Sequence, residues 1–282
     1  MGIILGIDIG GSATKAAGID ENNTLIGTLR VTADHPRTSA YGVLGRFLEE
    51  HHLKMGDISR IALTGLGSTF FDGDLASIPT VCVAEIDSIA RGGLSIAGLA
   101  RALVVSMGTG TAFIRADGEN ILHLGGSGVG GGTLCGLGKR FVGTGNVPQL
   151  SALASAGDRA KADLTIADLQ AREIPGLTSR LTASNFGRET GGSSPADEAA
   201  ALFNMIYETV GVMAAFALSR DSIRDVVLTG SLASLPQAKE TFDVFNSLPQ
   251  VFGPRYLIPE NAAFATAIGA AQSLLSQNPQ IP

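Results

Sequence analysis

The feature that most constrains this chain is that it carries its opening hairpin twice. Residues 3–26 run as an apolar strand, a turn of Gly with Ser and Thr, a returning strand, and a second turn of Asp, Glu and Asn. Residues 101–122 repeat that plan, with SMGTGT standing where DIGGSATK stands in the first copy. A separation of roughly a hundred residues is too long for a solenoid repeat, so two similar lobes facing one another is the simplest geometry. A length of 282 residues, with 45% hydrophobic and 16% charged, suits two globular lobes and excludes a disordered tail or a fibre.

Between and after the two hairpins, strands alternate with helices, which predicts an α/β protein. Residues 24–33 continue the first hairpin as a three-stranded meander. Residues 41–52 have helical spacing through Val43, Leu44, Phe47 and Leu48. Strands are predicted at 58–63 and 80–84, with a helix from about residue 86. In the second half, a Gly-rich loop at 125–145 runs into a helix, and helices are predicted at 148–169, 195–219 and 261–276. A strand at 226–228 ends in Thr229-Gly230-Ser231.

Several partners are unfavoured by composition. Twenty basic against 26 acidic residues give a net charge of -6, and no basic run occurs, so nucleic acid is not expected. The uncharged stretches 120–138 and 261–282 are loaded with Gly, or with Gln, Asn and Pro, and do not read as membrane spans. The start of the chain lacks the pattern of a signal peptide, and Cys82 and Cys135 sit in no metal or redox spacing. A cytoplasmic protein with free thiols is the expectation.

Turns of Gly with Ser or Thr can aim several backbone N–H groups at one anion. One such turn is weak, since hairpin turns are often Gly-rich for steric reasons alone. Here there are four, at 8–15 (DIGGSATK), 106–111 (SMGTGT), 125–132 (GGSGVGGG) and 229–231 (TGS), and together they point to a nucleotide. There is no GxxxxGK[ST] loop, and the acidic residue of a dinucleotide fold is missing after 125–132. Asp8, at the end of a buried strand, suits Mg²⁺ or a Mg-bound water beside phosphates; the alternative is a turn-capping role. Lys15 suits a point charge on a phosphoryl group, or else a solvated strand position.

These patterns resemble the acetate and sugar kinase, Hsp70 and actin superfamily, and within it the type II pantothenate kinase family. The resemblance is carried by GIDIGGSATK (6–15), VAEIDS (83–88), SMGTGT (106–111), GGSGVGGGTLCGLG (125–138), GDRAKADLTIADL (157–169), LTASNFG (181–187), LTGS (228–231) and ENAAFATAIGA (260–270). It implies two ribonuclease H-like, actin-like lobes, 1–100 and 101–282, with the last helix packing back toward the first lobe. It also implies ATP with Mg²⁺ and transfer to the primary hydroxyl of pantothenate, the first step toward coenzyme A.

The resemblance assigns residues as well. Asp8, Ile9, Gly10, Gly11, Ser12, Ala13, Thr14 and Lys15 would wrap the β- and γ-phosphates, with Thr109 meeting them from the other lobe. Gly131, Gly132, Thr133, Leu134 and Cys135 would meet the nucleotide at a helix start, joined by Val147, and Ser231 would lie near the adenosine. Glu85 matches the family's general base; the alternative is a carboxylate set against a helix dipole. Ser106, His123 and Arg115 are candidates for the acceptor. His123 stands where the family usually has an Arg: either it is a polar strand end, with Arg115 or Arg188 as a candidate replacement, or the enzyme binds pantothenate weakly or accepts a neighbouring alcohol such as pantetheine. A kinase of pantetheine or an N-acetylhexosamine on the same fold is the second reading. A non-catalytic nucleotide-sensing module is the third reading. The stripe Leu202, Met205, Ile206, Met213 and Phe216 reads as core or subunit interface, and the family implies a homodimer. His35, His51 and His52 form no ligand set.

Overall fold

The computed structural model describes residues 2–32, 34–170, 172, 180–188 and 192–275. The first hairpin is β1 (Ile3–Ile9) and β2 (Ala13–Ile19), extended by β3 (Leu25–Thr32). After α1 (Pro36–Glu50), β4 (Ile58–Thr64) and β5 (Thr80–Cys82) join in parallel, giving the order β3-β2-β1-β4-β5. Helix α2 (Glu85–Ala97) leads to the second hairpin, β6 (Arg101–Met107) and β7 (Thr111–Asp117), extended by β8 (Asn120–Ser127).

The remaining elements are α3 (Gly131–Phe141), α4 (Val147–Ala154), β9 (Leu164–Thr165), α5 (Ile166–Leu169), β10 (Thr182–Ser184), α6 (Pro195–Leu218), β11 (Asp225–Thr229), α7 (Pro236–Ser247), α8 (Pro249–Phe252), β12 (Arg255–Leu257) and α9 (Ala265–Leu275). The second sheet runs β8-β7-β6-β11-β12, with β11 and β12 again parallel to β6 and to each other. Strand for strand it repeats the first sheet, so the α/β reading and the duplication of the hairpin are both borne out.

Alternation along the strands sorts side chains between two faces of each sheet. In the first sheet, Leu5, Ile7 and Ile9 pack outward on α1 through Ala40, Val43 and Phe47, while Ile4 and Ala62 pack inward on Ala270 and Ala271 of α9. In the second, Val105, Met107 and Leu228 face α4, α6 and α7, while Val104 and Ile114 face Ile89 and Ala90 of α2. The two central helices therefore fill the space between the sheets. They cross backbone to backbone: a Cβ on Gly92 would lie 1.8 Å from the Ala265 carbonyl oxygen, and one on Gly269 1.9 Å from that of Ser88. Only glycine admits so close a crossing.

Several boundaries differ from the sequence reading, among them a last helix that begins at Ala265 after a 3-10 turn (Ala262–Phe264) and a strand β8 that runs to Ser127 into the predicted loop. The first helix opens at Pro36, where proline has no N–H to leave unpaired, rather than at 41. The strand predicted to 84 ends at Cys82, and Glu85 is the first residue of α2. The single helix predicted over 148–169 is broken after Ala154 into a 3-10 turn (Arg159–Lys161), β9 and the short α5. The Asp158 N–H donates to the Asp197 carboxylate at the start of α6, at 2.7 Å, and the Asp158 side chain accepts from the Ala160 N–H. Those two bonds turn the chain away from helix. Ala33 and Ser276, at the ends of two predicted elements, lie outside the described residues.

Candidate nucleotide and phosphoryl-transfer site

The ends of β1 and β2 bring the first charged pair together. Asp8 and Lys15 are direct antiparallel partners, so both side chains stand on the inner face of the sheet, above α9. Both residues are 7% exposed, and Lys15 Nζ lies 3.9 Å from Asp8 Oδ2. Burial pushes the Asp8 carboxyl up and the Lys15 ammonium down, and the attraction between them opposes both shifts. At 3.9 Å the pair is at the limit of an ion pair, and each partner can still take a ligand.

Glu85 opens α2 beyond the far edge strand β5. Its pKa is raised, first by burial and then by the negative charge of Asp8, with Lys15 pulling the other way. It is thus within electrostatic reach of both while remaining an exposed residue. A carboxylate so placed holds a proton more readily than free glutamate, as suits a base that must accept one near neutral pH.

The turns of the two hairpins meet. Ser12 Oγ and Thr109 Oγ1 are 3.1 Å apart, one from each sheet. Gly10, Gly11 and Ser12 are accessible at the first turn, whereas Ile9 and Ala13 are buried strand residues that offer backbone only, and Thr14, the partner of Ile9 on the outer face, is buried with its Oγ1 unpartnered. The start of α3 is tied to the second turn: Gly131 N–H donates to the Gly108 carbonyl and Gly132 N–H to that of Thr109, at 2.9 and 2.8 Å. Thr133 Oγ1 donates to the Gly128 carbonyl, closing the loop on itself. Leu134 is fully buried behind the sheet, Cys135 is half-buried, and Val147 opens α4 and packs on the outer core. Ser231, half-buried, follows Gly230, whose φ of +89° lets the chain turn over Met107.

The acceptor candidates separate. Ser106 and His123 stand on the inner face, Ser106 beside Thr229 and His123 beside Ile114. Arg115 is not brought to them. It alternates with Ile114 and so lies on the outer face, where its guanidinium holds Asp221 at 2.6 Å and Asp117 at 3.3 Å. Arg188 is paired with Asp168 at 2.5 Å. Neither arginine stands in for the cation absent at position 123.

Two residues were not singled out in the sequence. Thr64 pairs with Asp8 across β1 and β4, is fully buried, and its Oγ1 has no hydrogen-bond partner. An orphaned buried hydroxyl costs about 1–3 kcal/mol, and an oxygen-coordinated ion or one of its waters would satisfy it. Asp8 and Thr64 therefore fit a hydrated Mg²⁺. Among the described residues no three His, Cys, Asp or Glu side chains converge, so phosphate oxygens would supply the remaining ligands. The other residue is Arg30, the β3 partner of Lys15. Counting strand partners outward from the first turn would have found both.

The Fumble family model matches residues 101–247, just over half of the chain. The chain belongs to the Fumble family. As the resemblance in the sequence implied, this is the family of the type II pantothenate kinases. A type II pantothenate kinase of Staphylococcus aureus (strain bovine RF122 / ET3-1) is 29% identical over 267 residues, covering 90% of this chain and 97% of that protein. Another, from strain USA300, is 29% identical over 231 residues, covering 77% and 84%.

Among solved structures, the activator of the 2-hydroxyisocaproyl-CoA dehydratase from Clostridium difficile with bound ADPNP superimposes with a TM-score of 0.67 at 15% identity, over 99% of both chains. A ROK family glucokinase from Streptomyces griseus in complex with glucose and AMPPNP gives 0.59 at 14% identity, over 98% of this chain and all of that one. These likenesses establish the actin-like ATPase fold that the duplicated hairpins implied. Membership of the Fumble family, with curated relatives named as kinases, supports a kinase.

Proposed function

We propose that this Fumble protein is an ATP-dependent kinase that phosphorylates the primary hydroxyl of pantothenate, giving 4'-phosphopantothenate for coenzyme A synthesis. The observation that carries the reading is the meeting of the two hairpin turns over the Asp8–Lys15 pair, with Glu85 coupled to both. The curated relatives bear the name of that activity at 29% identity.

Phosphoryl transfer has a loose transition state, so most of the work is positioning and neutralising charge. In this reading the turns at 8–15 and 106–111 hold the β- and γ-phosphates from two sides, Ser231 and the start of α3 flank the nucleoside, and Lys15 places a point charge on the transferred group. Glu85 accepts the acceptor's hydroxyl proton as that oxygen attacks the γ-phosphorus in line. A Mg²⁺ held through Asp8 and Thr64 would screen the phosphate charges.

The described residues contain one helix long and apolar enough to cross a membrane, α6, and it is mostly buried. Its stripe is split: Leu202 and Ile206 are core, Met205 and Met213 are half-buried, and Phe216 is 72% exposed. We assign the exposed side to a homodimer, take 1–100 and 101–282 as the two lobes, and place the protein in the cytoplasm.

A second acceptor is favoured by one observation. His123 is exposed on the inner face without an ion-pair partner among the described residues, and both candidate arginines are engaged elsewhere. A neutral alcohol such as pantetheine needs no cation there. Release of ADP from ATP with pantothenate, pantetheine or N-acetylhexosamine as acceptor separates these readings. The expected outcome is turnover with pantothenate that falls about 10²- to 10⁴-fold in Glu85→Gln while ATP still binds. Turnover with none of the three acceptors, or an undiminished Glu85→Gln enzyme, overturns the proposal.

A further inference from the structure

The inner face of the first sheet carries a third charge in the same row. Lys15 pairs with Asp8 on one side and with Arg30 on the other, so Asp8, Lys15 and Arg30 stand side by side across β1, β2 and β3. Neighbouring strands are about 4.8 Å apart, close enough for both cationic heads to close on one polyanion. Arg30 is exposed, and among the described residues it makes neither a hydrogen bond nor an ion pair.

A solvated edge residue is the ordinary account of such an arginine, since charge on an edge strand prevents unwanted pairing. Two observations weigh against it. Arg30 faces the cleft beside another cation, and its charge is one of the causes that depress Lys15; like charges on paired strands are unfavourable unless an anion joins them. The matching positions of the second sheet are Ser106, Ala112 and Gly126, aligned by the same register, so the fold itself asks for no such row.

The sheet order says which anion. β3 is one edge of the sheet, and β5, which leads into Glu85, is the other. The row Arg30, Lys15, Asp8, Thr64 lies on β3, β2, β1 and β4, and Glu85 follows β5 beyond β4, so Arg30 lies on the side away from the base. In an in-line transfer the leaving oxygen stands opposite the attacking one across the phosphorus. The attacking hydroxyl belongs at Glu85, so the opposite side belongs to the leaving diphosphate. Charge balance agrees: Asp8 and Glu85 against Lys15 leave the face net negative, and Arg30 neutralises it before a polyanion arrives.

We propose that Arg30 is a second phosphate-binding residue of this site, holding the nucleotide's diphosphate from the side away from Glu85. This rests on the kinase reading above. As the new O–P bond forms, the acceptor proton passes to Glu85 and the bond from the γ-phosphorus to the bridging oxygen breaks. The electron pair stays on ADP, where the planar fork of Arg30 meets it with two hydrogen bonds.

The test uses the full chain as wild type, Arg30→Gln and Arg30→Lys, with thermal melting to verify the fold. Calorimetric affinities for ADP, AMP and a non-hydrolysable ATP analogue are compared with KM for ATP and for the acceptor. Arg30→Gln should weaken ADP and the analogue about 10- to 100-fold, the size of a charge-assisted contact. AMP, which lacks the second phosphate, should be unmoved, and so should the acceptor's KM. Arg30→Lys should recover part of the loss, since it keeps the charge without the fork. Equal weakening of AMP and ADP, a change confined to the acceptor's KM, or no change at all overturns the assignment. A wild-type protein that binds no adenine nucleotide removes the kinase reading itself; one that binds it as tightly with Gln at position 30 removes only Arg30.

Discussion

The two sheets share one backbone plan and carry opposite chemistry on it. Along the first, the inner-face row reads Arg30, Lys15, Asp8, Thr64; the second, aligned strand for strand, reads Gly126, Ala112, Ser106, Thr229. The backbone devices are kept in both. Gly65 and Gly230 follow the matching parallel strands with φ of +81° and +89°, and each folds over the end of the central strand. What the duplication preserves is the glycine turn at the end of the central strand, and what it has let diverge is charge. One half presents charged side chains, and the other presents backbone and small side chains.

Making the first row resemble the second should have the largest effect. Lys15→Ala copies Ala112 and removes the cation that the proposed mechanism places on the transferred group; kcat should fall about 10²- to 10³-fold, read as ADP release. A loss under tenfold would mean that the two halves differ in charge without differing in role. The glycines come next. Alanine at Gly65 or Gly230 meets left-handed strain of about 1–3 kcal/mol before any clash. At Gly230 the added Cβ would sit 2.5 Å from the Met107 carbonyl oxygen, a backbone atom with nowhere to move. At Gly65 the nearest atom is Asp8 Oδ1, at 2.7 Å, on a side chain that can turn, and the backbone contact is looser, the Ile9 carbonyl oxygen at 2.8 Å against three Met107 backbone atoms within 2.8 Å at Gly230. Denaturant unfolding should therefore rank Gly230→Ala as the less stable, with Gly65→Ala losing more activity than its stability loss explains.

The electrostatics of the charged half predict the pH profile. The proposed reaction needs Glu85 ionised, and its pKa lies above the ordinary 4.5, so kcat/KM should fall on the acid side at a pH higher than that of a free glutamate. Asp8 raises that pKa and Lys15 lowers it. In the residual activity of Asp8→Asn the acid limb should move to lower pH, and in Lys15→Ala to higher pH. Limbs that move together would show that Glu85 is not the group being titrated.

The duplication was legible because it rests on two local signals, strand alternation and Gly-rich turns, that survive in a linear reading. Glu85 was singled out by its match to the family pattern, and its element was misjudged by one residue because Ala84 leads into α2 without a capping side chain to mark the boundary. The break in 148–169 was hidden for a different reason: the residues suit a helix, and the bond that diverts them comes from Asp197, 39 positions on. Arg115 shows how parity decides. It sits in the second hairpin near the candidate turn, but one step from Ile114 places it on the outer face with Asp221. Thr64 and Arg30 became visible only through pairing between strands distant in the chain.

The smallest contrast is between the threonines that end the row. Thr229 Oγ1 reaches the Val105 carbonyl at 3.3 Å, while Thr64 Oγ1, equally buried, has no partner. Removing a satisfied hydroxyl costs about 0.5–1.5 kcal/mol, whereas replacing an unsatisfied one by a methyl of the same shape is neutral or stabilising. Thr229→Val should thus lower the unfolding free energy of the unliganded protein, and Thr64→Val should leave it level or raise it. Function should reverse the order. If the Thr64 hydroxyl waits for a water of the bound Mg²⁺, its loss should raise the Mg²⁺ concentration needed for half-maximal turnover, while Thr229→Val should not shift it. A Thr64→Val protein that is destabilised and titrates Mg²⁺ as wild type does would show that the hydroxyl serves the fold, and that the two halves are alike at this position after all.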